Sequence, residues 1–80
     1  MDDFITQVFA VASTVLKVPI SLINQHSSPQ TLPAWTSFTQ MNLMLALERK
    51  FSLTFTARDL VEMNNMELIL VILAEKLGRC

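Results

Sequence analysis

Eighty residues, 51% of them hydrophobic, with one glycine, three prolines and a formal net charge of −1, describe one small domain, residues 1–80, with a single core. So small a net charge gives no long-range field to gather nucleic acid or an anionic membrane, and the scarcity of glycine argues against an all-β chain of tight turns. The lone cysteine, Cys80, excludes an intramolecular disulfide framework and a cysteine-built zinc site, and fits a reducing compartment.

The chain starts Met1-Asp2-Asp3, the wrong sign for the basic head of a secretory leader, and the two acids suit the positive end of a helix. Ile5, Val8, Ala12, Val15 and Leu16 follow as a helical stripe backed by Phe4, Phe9 and Val11. That helix should stop near Lys17, since Val18 precedes Pro19 and is pushed away from helical dihedrals. The apolar tract 4–23 is interrupted by Gln7, Lys17 and Pro19, and the tract 68–74 is far shorter than the ~20 residues a spanning helix needs. Both predict buried helices, no membrane association and a cytoplasmic protein.

Residues 20–35 form a connection too long for a simple turn, which marks it as an ordered loop, with Leu22, Ile23 and Leu32 as its anchors to the core. Its only histidine, His26, reads as a solvated loop residue, and Trp35 as a packed anchor ahead of the next helix. From Ser37 to Phe51 the pattern is helical, with Thr36 as the cap and Thr39 as its partner three residues on. Leu43, Ala46, Leu47 and Phe51 supply the inward face. Phe38, Met41 and Leu45 make a second apolar line, read either as more core or as an exposed contact surface. The exposed polar positions are Gln40, Asn42, Arg49 and Lys50, with Glu48 the only acid.

Beyond Phe51, Thr56 and Asp59 open a short helix over residues 57–62, and Asn64 with Glu67 opens a last one over 66–77, closed by Gly78 with Lys76 and Arg79 near its negative end. The run 68–73 is apolar all round, which fits either a central last helix or a homodimer face. The expected architecture is all-α, a four-helix bundle of three longer helices and one short helix, with the long loop between the first two.

The stretch Thr36-Ser37-Phe38, followed by Asn42-Leu43-Met44-Leu45-Ala46-Leu47-Glu48-Arg49-Lys50-Phe51-Ser52-Leu53, resembles the prosthetic-group segment of acyl carrier proteins, whose usual form is Asp-Ser-Leu and then a helix reading roughly ELxxALEEEFGI. The lead-in Thr31-Leu32-Pro33-Ala34-Trp35 is similar to the TLPxW of one stand-alone subgroup, and Val15-Leu16-Lys17-Val18 to the VLGV that closes the first helix of the family. Thr36 stands where the pattern has aspartate and Phe38 where it has leucine, and the second helix lacks the acidic surface usual in the family.

The resemblance implies that Ser37 carries 4′-phosphopantetheine, whose thiol holds an acyl or related carboxylic group as a thioester. It also implies that Phe38, Met41 and Leu45 meet partner enzymes or the acyl chain. The implied partners are a phosphopantetheinyl transferase and acyl-transferring or acyl-modifying enzymes, met as a monomer, with a homodimer as the alternative. An unmodified, carrier-like interaction module is the competing function.

The chain's own inventory argues against catalysis. No histidine falls near Ser37 in sequence, Glu62 and Glu67 only flank a turn, and the only glycine is Gly78, so a phosphate-binding loop is missing. Lys and Arg are scattered apart from Arg49-Lys50, so no nucleic-acid partner is expected.

Overall fold

The computed structural model describes residues 3–78, with the side chain of Asp3 outside that set; Met1, Asp2, Arg79 and Cys80 lie outside it as well. Within it the chain is all-helical. Helix α1 spans Asp3–Leu16, a short 3₁₀ turn Ile20–Leu22, α2 Ser37–Phe51, α3 Ala57–Glu62 and α4 Met66–Lys76. The expected three longer helices, one short helix and long first connection are all present.

One apolar cluster joins the four helices and the long loop. Phe4, Val8, Ala12 and Leu16 of α1 are buried, each one turn beyond the last, so the covered line follows i+4 steps. The expected Ile5 and Val15 are instead only half-buried beside it. Phe4 meets Phe51 of α2 with ring centroids 5.8 Å apart, which sets the start of α1 beside the end of α2 and makes the pair antiparallel. Met66, Ile69, Ile72 and Leu73 bury the inner side of α4, while Leu68 and Val71 remain exposed on its outer side. The uniformly apolar run therefore does have one uncovered flank.

Backbone signals stop the helices where the sequence suggests. Lys17 turns out of α1 with φ 58°, and Ser13 binds Val18 through both its hydroxyl and its carbonyl oxygen. Ser52 ends α2 at φ 55°, and Gly78 follows α4 at φ 72°, the one such position where the lack of a Cβ removes the strain. Thr56 and Asp59 form the anticipated reciprocal capping box at the start of α3. At α4 the sequence misplaces the cap by one residue: Asn65, not Asn64, accepts the Leu68 amide proton, and the helix closes at Lys76 rather than at 77. The amide of Asn64 is held to the Glu62 carbonyl, so Asn64 still belongs to the turn that leaves α3.

The long loop is ordered by polar contacts. Ser27 is buried, its hydroxyl accepts from the Asn24 amide, and its carbonyl accepts from the Met66 amide at 2.9 Å, which fastens the loop to the start of α4. Ile23 and Leu32 are buried anchors as expected, whereas Leu22 points outward and is 55% exposed. The 3₁₀ turn can cover only one side with three residues, and none of its members is buried.

Asp59 does two jobs. Its carboxylate accepts from the Thr56 amide and pairs with Lys76 of α4 at 2.7 Å. The Lys76 ammonium, and after it the Thr56 amide, hold the Asp59 carboxyl below its ordinary value of 3.8. A carboxyl lowered in the folded state stabilises the fold above its unfolded value, and that contribution is lost as pH falls through the folded one. Urea melts across the acid range should therefore show wild type losing part of its advantage over Asp59→Asn below about pH 3.8. A difference between the two proteins that stays constant with pH would mean that the pair contributes nothing through its charge.

Candidate functional site: the start of helix α2

Thr36 is extended, with φ −105° and ψ 176°, and its hydroxyl accepts from the Thr39 amide. In return the Thr39 hydroxyl accepts from the Thr36 amide at 2.7 Å and donates to the Ala34 carbonyl at 2.8 Å. The box predicted from two threonines is complete, and it binds the start of the helix to the loop before it. Because Thr36 caps, Ser37 does not need to. Ser37 is the first residue of α2, it is exposed, and its hydroxyl makes no hydrogen bond among the described residues. The amide protons of Thr39 and Gln40 go to Thr36, which leaves those of Ser37 and Phe38 as the unclaimed donors of the first turn. A hydroxyl beside free amides at the positive end of a 15-residue helix is suited to bearing an anion.

A cleft of about 390 Å³ opens beside Ser37, lined by Pro29, Trp35, Thr36, Gln40, Leu60 and Asn64. It lies where the loop, α2, α3 and the α3–α4 link converge. Its back is held by Gln40, which the sequence presents as a surface residue of α2. In the structure Gln40 is half-buried: its carbonyl oxygen accepts from the Trp35 indole at 2.6 Å and its amide donates to the Met63 carbonyl at 2.6 Å. Trp35 is the buried anchor anticipated, 3% exposed, and Gln40 supplies its polar partner. Gln40→Leu keeps the size but strands both groups, and should cost about 1–3 kcal/mol in urea melts followed by the fluorescence of the single tryptophan. A loss below about 0.5 kcal/mol would mean that water replaces the clasp without penalty.

The second apolar line resolves outward. Phe38 is 75% exposed, Met41 54% and Leu45 52%, so none of them is core. The inward face is Leu43, Met44 and Leu47; Ala46 and Phe51, expected there, are only half-buried, and the buried Met44 was not anticipated. Glu48 also differs from the reading of it as a surface acid. It is half-buried, and its carboxylate accepts from the Phe55 amide at 2.7 Å, bracing the turn into α3. The solvent side of α2 thus presents no unengaged acid, only the cations Arg49 and Lys50. Val61 on α3 is a further exposed apolar residue, at 75%, that no periodicity marks because the helix is only six residues long.

His26 lies exposed in the loop, where its backbone amide donates to the Asn24 side chain, and Glu62 is exposed and paired with Arg58. Among the described residues no group of three or more histidine, cysteine or acidic side chains could hold a metal ion, and no helix is long and apolar enough to cross a membrane. No protein-family model matches the chain, and no curated protein matches it either.

Proposed function

We propose that this chain is an acyl carrier protein, with Ser37 as the attachment point for 4′-phosphopantetheine. The observation that carries the reading is that Ser37 caps nothing. A serine kept for helix initiation would use its hydroxyl on the amides of the first turn, whereas here Thr36 does that work and leaves Ser37 exposed and unengaged.

Two backbone details favour the reading independently. The resembled pattern has glycine at two places, within VLGV and after the phenylalanine that ends the second helix. This chain has Lys17 and Ser52 there, and both adopt positive φ, 58° and 55°. A left-handed residue is where glycine is ordinarily preferred, so the backbone retains the shape although the residue has changed.

The fit of the group to the site rests on the chain's own donors. The Ser37 oxygen would become the phosphodiester oxygen, the Ser37 and Phe38 amides would face its negative charge, and the neighbouring cleft has polar edges at Thr36, Gln40 and Asn64. The thiol at the far end of the group holds a carboxylic cargo as a thioester, and tethering raises the effective concentration of that cargo at each enzyme it visits. In this reading the chain is the cargo-bearing substrate of other enzymes in the cytoplasm, not a catalyst. A phosphopantetheinyl transferase and acyl-transferring or acyl-modifying enzymes are its partners.

Docking would run through Phe38, Met41 and Leu45, because α2 offers partners no free acid. Apolar contact is not screened by salt, whereas ion pairs between exposed groups are. Affinity for a cognate enzyme should therefore change little across an ionic-strength series, and a steep loss would shift the docking role to charges elsewhere.

The competing reading, an unmodified interaction module on the same scaffold, draws on Thr36 standing where the family pattern has aspartate. Intact mass after incubation with coenzyme A and a broad-specificity transferase separates the two. Added mass that maps to residue 37 supports the carrier, and an unchanged mass beside an active control carrier overturns it.

A further inference from the structure

A further surface depression lies away from Ser37. It is a groove of about 570 Å³ between α1 and α2, where Ala10, Val11, Val15 and Ala46 give an apolar strip, Thr6, Gln7 and Thr14 add polar lining, and Arg49 and Lys50 contribute the charge. Among the described residues no acid contributes to it. The pairing of charges among the described residues shows why those cations matter. Glu48 is engaged by the Phe55 amide, Arg58 pairs with Glu62, and Asp59 pairs with Lys76. The charges left without an ion pair or hydrogen bond are Lys17, Arg49 and Lys50 on one side, and Glu67 and Glu75 on the other. The side chains of Asp2 and Asp3 lie outside the described residues.

The two unengaged acids are not scattered. Glu67, Leu68, Val71 and Glu75 share the outer side of α4, so the helix presents an exposed apolar pair, 38% and 48% accessible, bracketed by carboxylates. That surface is the complement of the groove: apolar against apolar, acids against cations.

We infer that the groove between α1 and α2 of one copy receives the outer face of α4 from a second copy, with Glu67 and Glu75 supplying the charge that Arg49 and Lys50 lack. One surface meeting a different one either closes reciprocally as a dimer or runs on as a chain. A single short helix face buries less than the roughly 1,200–2,000 Å² of a stable complex, so the association is weak and shows at high protein concentration. It is independent of Ser37 and holds whether or not that residue is modified.

Sedimentation equilibrium from about 10 μM to about 1 mM at low salt tests it, the window in which weak complexes form. Wild type should gain average mass with concentration. Arg49→Glu with Lys50→Glu, and separately Glu67→Lys with Glu75→Lys, should each weaken self-association at least about tenfold, since like charges then face each other. Mixing the two reversed proteins one to one should restore it, because each supplies the charge the other now needs. Adding Val71→Asp to both reversed variants, so that neither α4 face keeps its apolar pair, should abolish that rescue, which separates docking in an apolar groove from simple attraction between oppositely charged chains. All substituted positions are exposed, and circular dichroism confirms that each variant is folded. Wild type that stays monomeric throughout overturns the inference, as does a mixture no more associated than its parts, or a rescue that survives Val71→Asp.

Discussion

Given coenzyme A and an active transferase, wild type should gain one phosphopantetheine per chain, while Ser37→Ala gains none. The effect is all or nothing, because a chain without the nucleophilic oxygen cannot form the phosphodiester. Cys80 is a second nucleophile, so both proteins are compared on a Cys80→Ser background to exclude thiol adducts. Thr36→Asp is the informative companion. Threonine and aspartate both cap well, and a carboxylate at this place also favours the helix dipole. The Thr36 hydroxyl sits 3.2 Å from the Thr39 amide, and an aspartate oxygen can take over that contact, so the melting temperature should change little. The substitution supplies the negative charge that the family pattern carries before its serine, and the rate of modification should rise. Modification confined to Thr36→Asp would identify a site that has lost its recognition charge on an otherwise intact scaffold. No modification in either protein would leave the unmodified interaction module as the better account.

The second large effect is on stability. Leu47→Ala should destabilise the fold by about 2–5 kcal/mol, because Leu47 is wholly inaccessible and its deletion leaves a cavity among Leu43, Met44 and their neighbours in the core cluster. Against the roughly 5–15 kcal/mol that holds a small domain together, this is a large share. Leu45→Ala removes the same atoms two residues earlier, from a position 52% exposed, and should stay within about 1 kcal/mol of wild type. Chemical denaturation of the pair measures which side of α2 faces inward. Equal losses, or a larger loss at Leu45, would mean that the faces are reversed.

The signals readable from sequence were those closed within one turn of chain. Thr36 with Thr39 and Thr56 with Asp59 are capping pairs whose partners lie three residues apart, so the residue types alone specify the bond. Pro19 limits Val18 and so ends α1 near Lys17, again a neighbouring-residue effect. The exposure of Ser37 follows from the same local logic, since Thr36 takes the capping role and leaves the next hydroxyl unengaged. The cap of α4 shows the limit of this reasoning. Asn64 and Asn65 are the same amino acid, and the choice between them depends on where the chain leaving α3 has already been held by the Glu62 carbonyl.

The sequence by itself determined that the chain is helical, where its helices begin and end to within a residue or so, and that a free serine hydroxyl stands at the head of the second. Tertiary structure decided which sides of those helices meet water. Gln40 looks like a surface residue until Trp35 and the Met63 carbonyl, 23 residues away, close on it; Glu48 looks like a surface acid until the Phe55 amide reaches it from seven residues on. Met44 displaced Ala46 and Phe51 from the fully covered face, and Leu22 turned outward while Ile23 turned in. Periodicity fixes the angle between two residues on one helix, but the direction in which that helix is covered depends on what packs against it, and those neighbours come from distant parts of the chain.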